Sequence, residues 1–256
     1  MMKKFVILIF CLLVGLAMTG CGNKTTVEKK VLRVGTTANF PPFEYFQPNS
    51  GIHTGYDIDL IRELGKNMGY DKVEFVNVNF TKLLEGLEAK EYDAVISGLA
   101  ITPEREAKVA FTKPYITDGL TIVLPVGTKL PNTKDTLKGR RVAVESGSIA
   151  FDWVMSHTHA SDIVVVGSTE EAIKAVVEDK ADCMVASKLV VAFLLAHGFS
   201  DSVRLAGDNV LLEDKIAIAV HKENTVLLEK LNAELENNLQ TPKYKQIYRT
   251  YFGSIK

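Results

Sequence analysis

An arginine stands at the end of the run Ser97-Gly98-Leu99-Ala100-Ile101-Thr102-Pro103-Glu104-Arg105, just beyond the short apolar stretch Tyr92-Asp93-Ala94-Val95-Ile96. Guanidinium stays charged at any physiological pH and offers a planar fork of donors, so Arg105 suits a carboxylate better than the point charge of a lysine would. The apolar stretch reads as a strand, and strand C-termini in open α/β sheets are where small ligands bind. A second run, Asn39-Phe40-Pro41-Pro42-Phe43-Glu44-Tyr45, brings aromatic rings to the same edge. These residue types fit a cleft that grips a small carboxylate-bearing molecule between aromatic faces. Plainer roles are open to each of them. Arg105 could pair with Glu104 or Glu106 on a solvated helix start, and single phenylalanines are more often core than pocket wall.

The elements that must hold these residues follow from the hydrophobic pattern. Leu32 to Thr36 reads as a strand. Ile61, Leu64, Gly65 and Met68 mark one face of a helix over 57–68. Val73 to Val78 is the next strand, Phe80, Leu83, Leu84 and Leu87 mark a helix, and Tyr92 to Ile96 completes a β-α-β-α-β unit. A second such unit follows. Its strands are Arg141 to Glu145, Ile163 to Val166, and Asp182 to Val185. Its helices begin near Ser148, at Ser168 (with Glu171 as a capping box) and at Leu189. Two strand-like bridges, Leu120 to Leu124 and Lys215 to Val220, join the halves. The last helices begin at Asn224 and at Thr241-Pro242. The expected architecture is α/β: two Rossmann-like lobes on a two-strand hinge, lobe 1 from 30–118 plus 212–256 and lobe 2 from 122–208.

The first residues carry an address. Lys3 and Lys4 precede an apolar segment from Phe5 to Ala17, and Met18-Thr19-Gly20-Cys21 ends it with small residues and a cysteine. This resembles a bacterial lipobox, which implies a signal peptide over 1–20, cleavage before Cys21, and a thioether lipid with fatty acyl chains such as palmitate on that residue. An ordinary secretory signal is the plainer alternative. Residues 21–30 read as a tether. Cys11 leaves with the signal and Cys21 carries lipid, so Cys183 stands alone in an apolar strand as a small hydrophobe. Loss of Lys3 and Lys4 takes the formal net charge from −1 to −3. That balance gives no basic excess for nucleic acid. Of the five histidines only His157 and His159 are close in sequence, and the pair reads as surface; no metal and no cofactor are expected.

Five segments in this order resemble the amino-acid-binding family of bacterial extracytoplasmic solute-binding proteins, the receptors of ABC importers. They are Phe40-Pro41-Pro42-Phe43-Glu44, Gly55-Tyr56-Asp57-Ile58-Asp59-Leu60, Ile101-Thr102-Pro103-Glu104-Arg105, Phe111-Thr112-Lys113-Pro114-Tyr115, and Leu137 to Val144. The resemblance spans 31–253. It implies a two-lobe Venus-flytrap fold (the type II periplasmic binding protein), a permease partner, a monomer, and a place outside the cytoplasmic membrane, anchored there by the lipid on Cys21. Carried over by position, Phe40 and Phe80 would wall the pocket while Phe43 stays in the core. Arg105 would hold the ligand carboxylate, with donors from Ser97, Gly98 and Ala100. Ser146, Ser148 and Ile149 would face them from the other lobe at a helix N-terminus.

Two departures bear on the ligand. Position 100 is usually serine or threonine in the family and here is Ala100, which keeps only its backbone N–H. The aspartate that usually meets the ligand's α-ammonium is replaced by Ser187, and a neutral hydroxyl cannot neutralise a buried ammonium. Either nearby Glu145 supplies the charge or the ligand is not an ordinary α-amino acid; equally, Glu145 could face water and Ser187 could simply cap the next helix. The leading expectation is a binding protein and not an enzyme. A dehydratase on the same scaffold and a lipid-anchored sensor are the alternatives.

Overall fold

The computed structural model describes residues 29–253. The expected signal segment, Cys11, the expected lipidation site Cys21 and residues 22–28 lie outside the described residues. In chain order the first half contains β1 (Val31–Thr36), the short strands β2 (Asn39–Phe40), β3 (Glu44–Phe46) and β4 (His53–Thr54), and helix α1 (Tyr56–Asn67). It continues with β5 (Lys72–Asn77), α2 (Leu83–Glu88), β6 (Ala94–Val95), α3 (Pro103–Glu106) and β7 (Ala110–Phe111). The second half holds β8 (Ile116–Pro125), β9 (Arg141–Glu145), α4 (Ile149–His157), β10 (Asp162–Val166), α5 (Thr169–Val177), β11 (Cys183–Ser187) and α6 (Lys188–Leu194). The chain ends with β12 (Val203–Leu205), β13 (Leu212–Ile216), β14 (Ala219–Val220), α7 (Thr225–Asn238) and α8 (Pro242–Phe252).

Among the described residues two main sheets form beside a small antiparallel sheet, β2-β3-β4. The first runs β5-β1-β6-β14-β7, with β1 parallel to β5 and β6. The second runs β10-β9-β11-β8-β12, with β13 added against β8. Parallel strands need covering helices, and α1 supplies one by burying Ile58, Leu60, Ile61 and Leu64 completely. Side-chain oxygens of Ser148, Ser168, Ser187 and Asn224 each accept a backbone N–H three residues on and start α4, α5, α6 and α7. The capping box at Ser168 is shifted by one residue, because Glu171 Oε2 accepts from Gly167 N–H at 2.8 Å. Thr241 precedes Pro242 as expected, but its hydroxyl donates back to Asn238 O at 2.7 Å and makes no cap bond.

The two bridges differ from their sequence outlines. The first is the middle of the longer strand β8. The second is divided: β13 ends at Ile216 and β14 begins at Ala219. The chain changes sheets there, held by Thr112, whose N–H donates to Ile218 O at 2.9 Å and whose Oγ1 accepts from Ile218 N–H at 3.1 Å. Cys183 packs with no exposure in the second core, and burial pushes its thiol up to about 12. It is inert under ordinary conditions.

Candidate functional site

Arg105 reaches its place through a short helix that the local sequence starts cleanly. Thr102 Oγ1 accepts from Arg105 N–H at 3.2 Å and Pro103 occupies the first helical position. The guanidinium does not pair with Glu104 or Glu106. Nη1 donates to Ala100 O at 2.8 Å in its own half, and Nη2 donates to Gly147 O at 3.1 Å in the other. Its carbon sits 5.5 Å from the Phe80 ring centroid, a cation–π arrangement. Arg105 therefore spans the mouth between the sheets with donors to spare. Burial lowers its pKa, and the nearby charges of Asp152, Glu104 and Asp214 resist that shift.

Behind it lies a cavity between the two sheets. Phe40, Phe80, Gly98, Ala100 and Arg105 line it from the first half, and Ser148, Ile149, Glu145, Thr169 and Ser187 from the second. Its floor is one face of the connecting strands. Asp118 and Leu120 of β8 and Asp214 and Ile216 of β13 all reach it, as the two-residue period of a strand requires.

Three of these residues are acids. Glu145 is 8% exposed, and its Oε2 accepts from Thr169 Oγ1 at 2.9 Å. Burial raises its pKa to about 7 against the pull of Thr169. Asp214 is also raised to about 7, by burial and then by the charge of Asp118, with Arg105 opposing. Asp118 is raised by burial and restrained by Ser187, which donates to its Oδ2, and by backbone N–H groups. Three carboxyl groups against one guanidinium leave the cavity ready for a positive charge.

Residues 32–254 match the family model of the bacterial extracellular solute-binding proteins, family 3. The chain belongs to that family. As a solute-binding protein it acts outside the cytoplasmic membrane, and among the described residues no helix is long and apolar enough to cross one. It is 30% identical over 223 residues to the ABC transporter arginine-binding protein 1 of Escherichia coli strain K12, covering 86% of this chain and 90% of that one. A solved ancestral arginine-binding protein bound to arginine superposes with a TM-score of 0.81 at 32% identity, covering 88% and 99% of the two chains. An ancestral amino-acid-binding protein described as a precursor of cyclohexadienyl dehydratase gives 0.79 at 32% identity, covering 87% and 95%. The two-lobe flytrap architecture is shared with these neighbours.

The solute-binding protein brings nine of its eleven expected ligand residues to the cavity and turns two away. Ser97 is fully buried inside the first half. Its hydroxyl donates to Glu44 Oε1 at 2.6 Å and accepts from Thr37 N–H at 3.1 Å. Ser146 does not line the cavity, and its N–H donates to Val166 O at 2.9 Å. Gly98 lines the wall, but its N–H donates to Asp57 Oδ2 at 2.7 Å and is no spare donor for a ligand. A Cβ on Gly98 would lie 2.6 Å from Phe40 Cε1, so glycine lets the aromatic wall close in. Ser187 both caps α6, accepting from Val190 N–H at 3.1 Å, and binds Asp118.

Sequence reasoning missed Asp118, Thr169 and Asp214. The available signal was a carboxylate at the entrance of each bridging strand, in Ile116-Thr117-Asp118-Gly119-Leu120 and Leu212-Glu213-Asp214-Lys215-Ile216. It also missed that Glu44 and Asp57, inside two recognition motifs, support the wall from behind. Asp57 takes Gly98 N–H and the Tyr115 hydroxyl, the latter at 2.8 Å.

Proposed function

We propose that this solute-binding protein captures a cationic L-amino acid, arginine or a close analogue, and delivers it to the permease of an ABC importer. The receptor role rests on family membership and on relatives aligned over most of their length. The cationic preference rests on one observation: Asp118, Glu145 and Asp214 share a cavity whose lining has Arg105 as its basic residue. Arg105 takes the ligand carboxylate, and Phe40 and Phe80 close on the aliphatic stem. A flat guanidinium or an ammonium at the far end finds a carboxylate there, which Glu145 offers.

The lobes divide at the bridging strands, 30–118 with 212–256 against 122–208, and the receptor works as a monomer tethered by lipid on Cys21. Replacing Cys21 with serine should release it from membranes and abolish palmitate labelling. For the ligand, protein stripped by unfolding and refolding is screened by thermal shift against the standard amino acids, ornithine, citrulline, keto acids and dicarboxylates. A ligand at about a thousand times its Kd stabilises by roughly 4 kcal/mol. Arginine, lysine or ornithine should give the largest shifts. Silence from every amino acid, with a shift from acids lacking the amine, would overturn the reading.

A further inference from the structure

The acid expected at position 187 is a serine, yet two carboxylates lie close by on the cavity floor. Asp118 and Asp214 are direct partners across antiparallel β8 and β13, where Cβ atoms stand about 4.5–5.5 Å apart and like charges are unfavourable. The pairing itself does not call for acids, since the next partners on this face are Leu120 and Leu212.

The two members are held differently. Asp118 is fixed by the Ser187 hydroxyl at Oδ2 and by Leu189 N–H at Oδ1, 3.2 Å away. Asp214 Oδ1 is closed off from solvent and has no hydrogen-bond partner. A buried carboxylate oxygen left in that state is costly, and an ammonium supplies both the charge and the donors it lacks.

Their place in the cleft selects which cation. An α-amino acid carries its ammonium and carboxylate on one carbon, so the ammonium must sit beside the group that grips the carboxylate. The strand bearing Asp214 is stitched to the segment bearing Arg105. Ile101 N–H donates to Lys215 O at 2.8 Å, and Ala217 N–H donates to Leu99 O at 3.1 Å. The charge of Arg105 acts on Asp214, while Glu145 titrates against Thr169 and Glu171.

We infer that the cross-strand pair Asp118–Asp214 is the α-ammonium subsite of this cleft, with Ser187 a positioning residue that locks Asp118 and Glu145 left to the ligand's side-chain cation. The inference rests on the amino-acid reading above and deepens it.

The test compares L-arginine with 5-guanidinopentanoic acid, the same molecule without its α-ammonium, by titration calorimetry. Wild-type protein should favour arginine by about 100-fold or more. Asp214→Asn should cost arginine about 100-fold and leave the desamino compound within about threefold. Ser187→Ala should reduce the ratio of the two affinities by about tenfold. Glu145→Gln should lower both affinities alike. Asp118→Asn serves in place of Asp214→Asn if circular dichroism shows that the latter is unfolded. Equal losses for both compounds in the aspartate variants would overturn the subsite. If wild type binds neither arginine nor any other amino acid, the functional reading itself falls; if it prefers another amino acid, the comparison is repeated with that molecule and its desamino form.

Discussion

Two sets of buried carboxylates lie on either side of the aromatic wall, and burial raises all five groups. In the first half, Glu44 and Asp57 are both fully buried, and Asp57 is raised to about 6. Their surroundings are built from the chain itself. Thr37, Ser97, Gly98 and Tyr115 all donate to them. On the other side, Asp118, Glu145 and Asp214 face a cavity, and the chain answers them only in part. The same chemistry thus serves two ends. A carboxylate sealed inside the half and held by internal donors fixes a wall in place; one that faces the cavity with an oxygen left over can take a donor from outside. Neither burial nor an unpartnered oxygen tells them apart, since Glu44 Oε2 also lacks a partner; position at the cavity does.

The comparison is tested hardest at Arg105, the basic residue of the cavity lining. Arg105→Ala should abolish detectable binding, a loss of several hundredfold or more. The carboxylate contact of about 1.5–3 kcal/mol disappears together with the bond to Gly147 that joins the two rims. The melting temperature of the empty protein should hold. Asp57→Ala should do the reverse, because it leaves the Gly98 N–H and the Tyr115 hydroxyl unpaired inside the first half. A stability loss of about 2–3 kcal/mol is expected, read as a lower urea midpoint.

Dependence on pH sharpens the difference further. Glu145 and Asp214 titrate at about 7 in the folded empty protein, above the ordinary carboxylate value of about 4. The folded state therefore holds protons that the unfolded chain has released. The stability these groups contribute is full below the unfolded value and is lost as pH rises toward 7. A bound cation favours the ionised forms and expels those protons. Affinity should therefore rise from pH 5.5 to pH 8, by up to about tenfold per pH unit for each proton released. The groups that set this balance are Asp118, Arg105 and Glu213 around Asp214, and Thr169 and Glu171 around Glu145. Calorimetry across that range checks it. Flat affinity would mean that the cavity acids do not meet the ligand.

A smaller effect is expected at Gly98, whose φ of 50° is left-handed. Gly98→Ala should cost about 1–2 kcal/mol of stability and weaken binding several-fold, since the methyl would press on Phe40. Unchanged binding would show that Phe40 is no close wall.

Much of this frame was legible along the chain. The two repeated units, the helix starts at Ser148, Ser168 and Asn224, and the cleft-edge positions of Phe40 and Arg105 follow from local pattern or motif, and the wall position of Phe80 from the family resemblance. What escaped depends on contacts between distant segments. Asp118 and Asp214 become neighbours only through the register of two strands separated by most of the second half. Ser97 reads as a ligand donor until Glu44, brought up by a different strand, draws its hydroxyl inward. Ser187 stands where the family's aspartate is expected, and its partner Asp118 lies on another strand of the same sheet. Register and side-chain direction at such places are decided by packing, which short-range pattern does not contain.

The most direct measurement is titration calorimetry of ligand-stripped protein with L-arginine and with L-citrulline, which matches arginine in shape and carries no side-chain charge. One-to-one binding of arginine, at least tenfold tighter than citrulline, is the expected result. Equal affinities, or a preference for citrulline, would contradict a cleft built for a cationic amino acid.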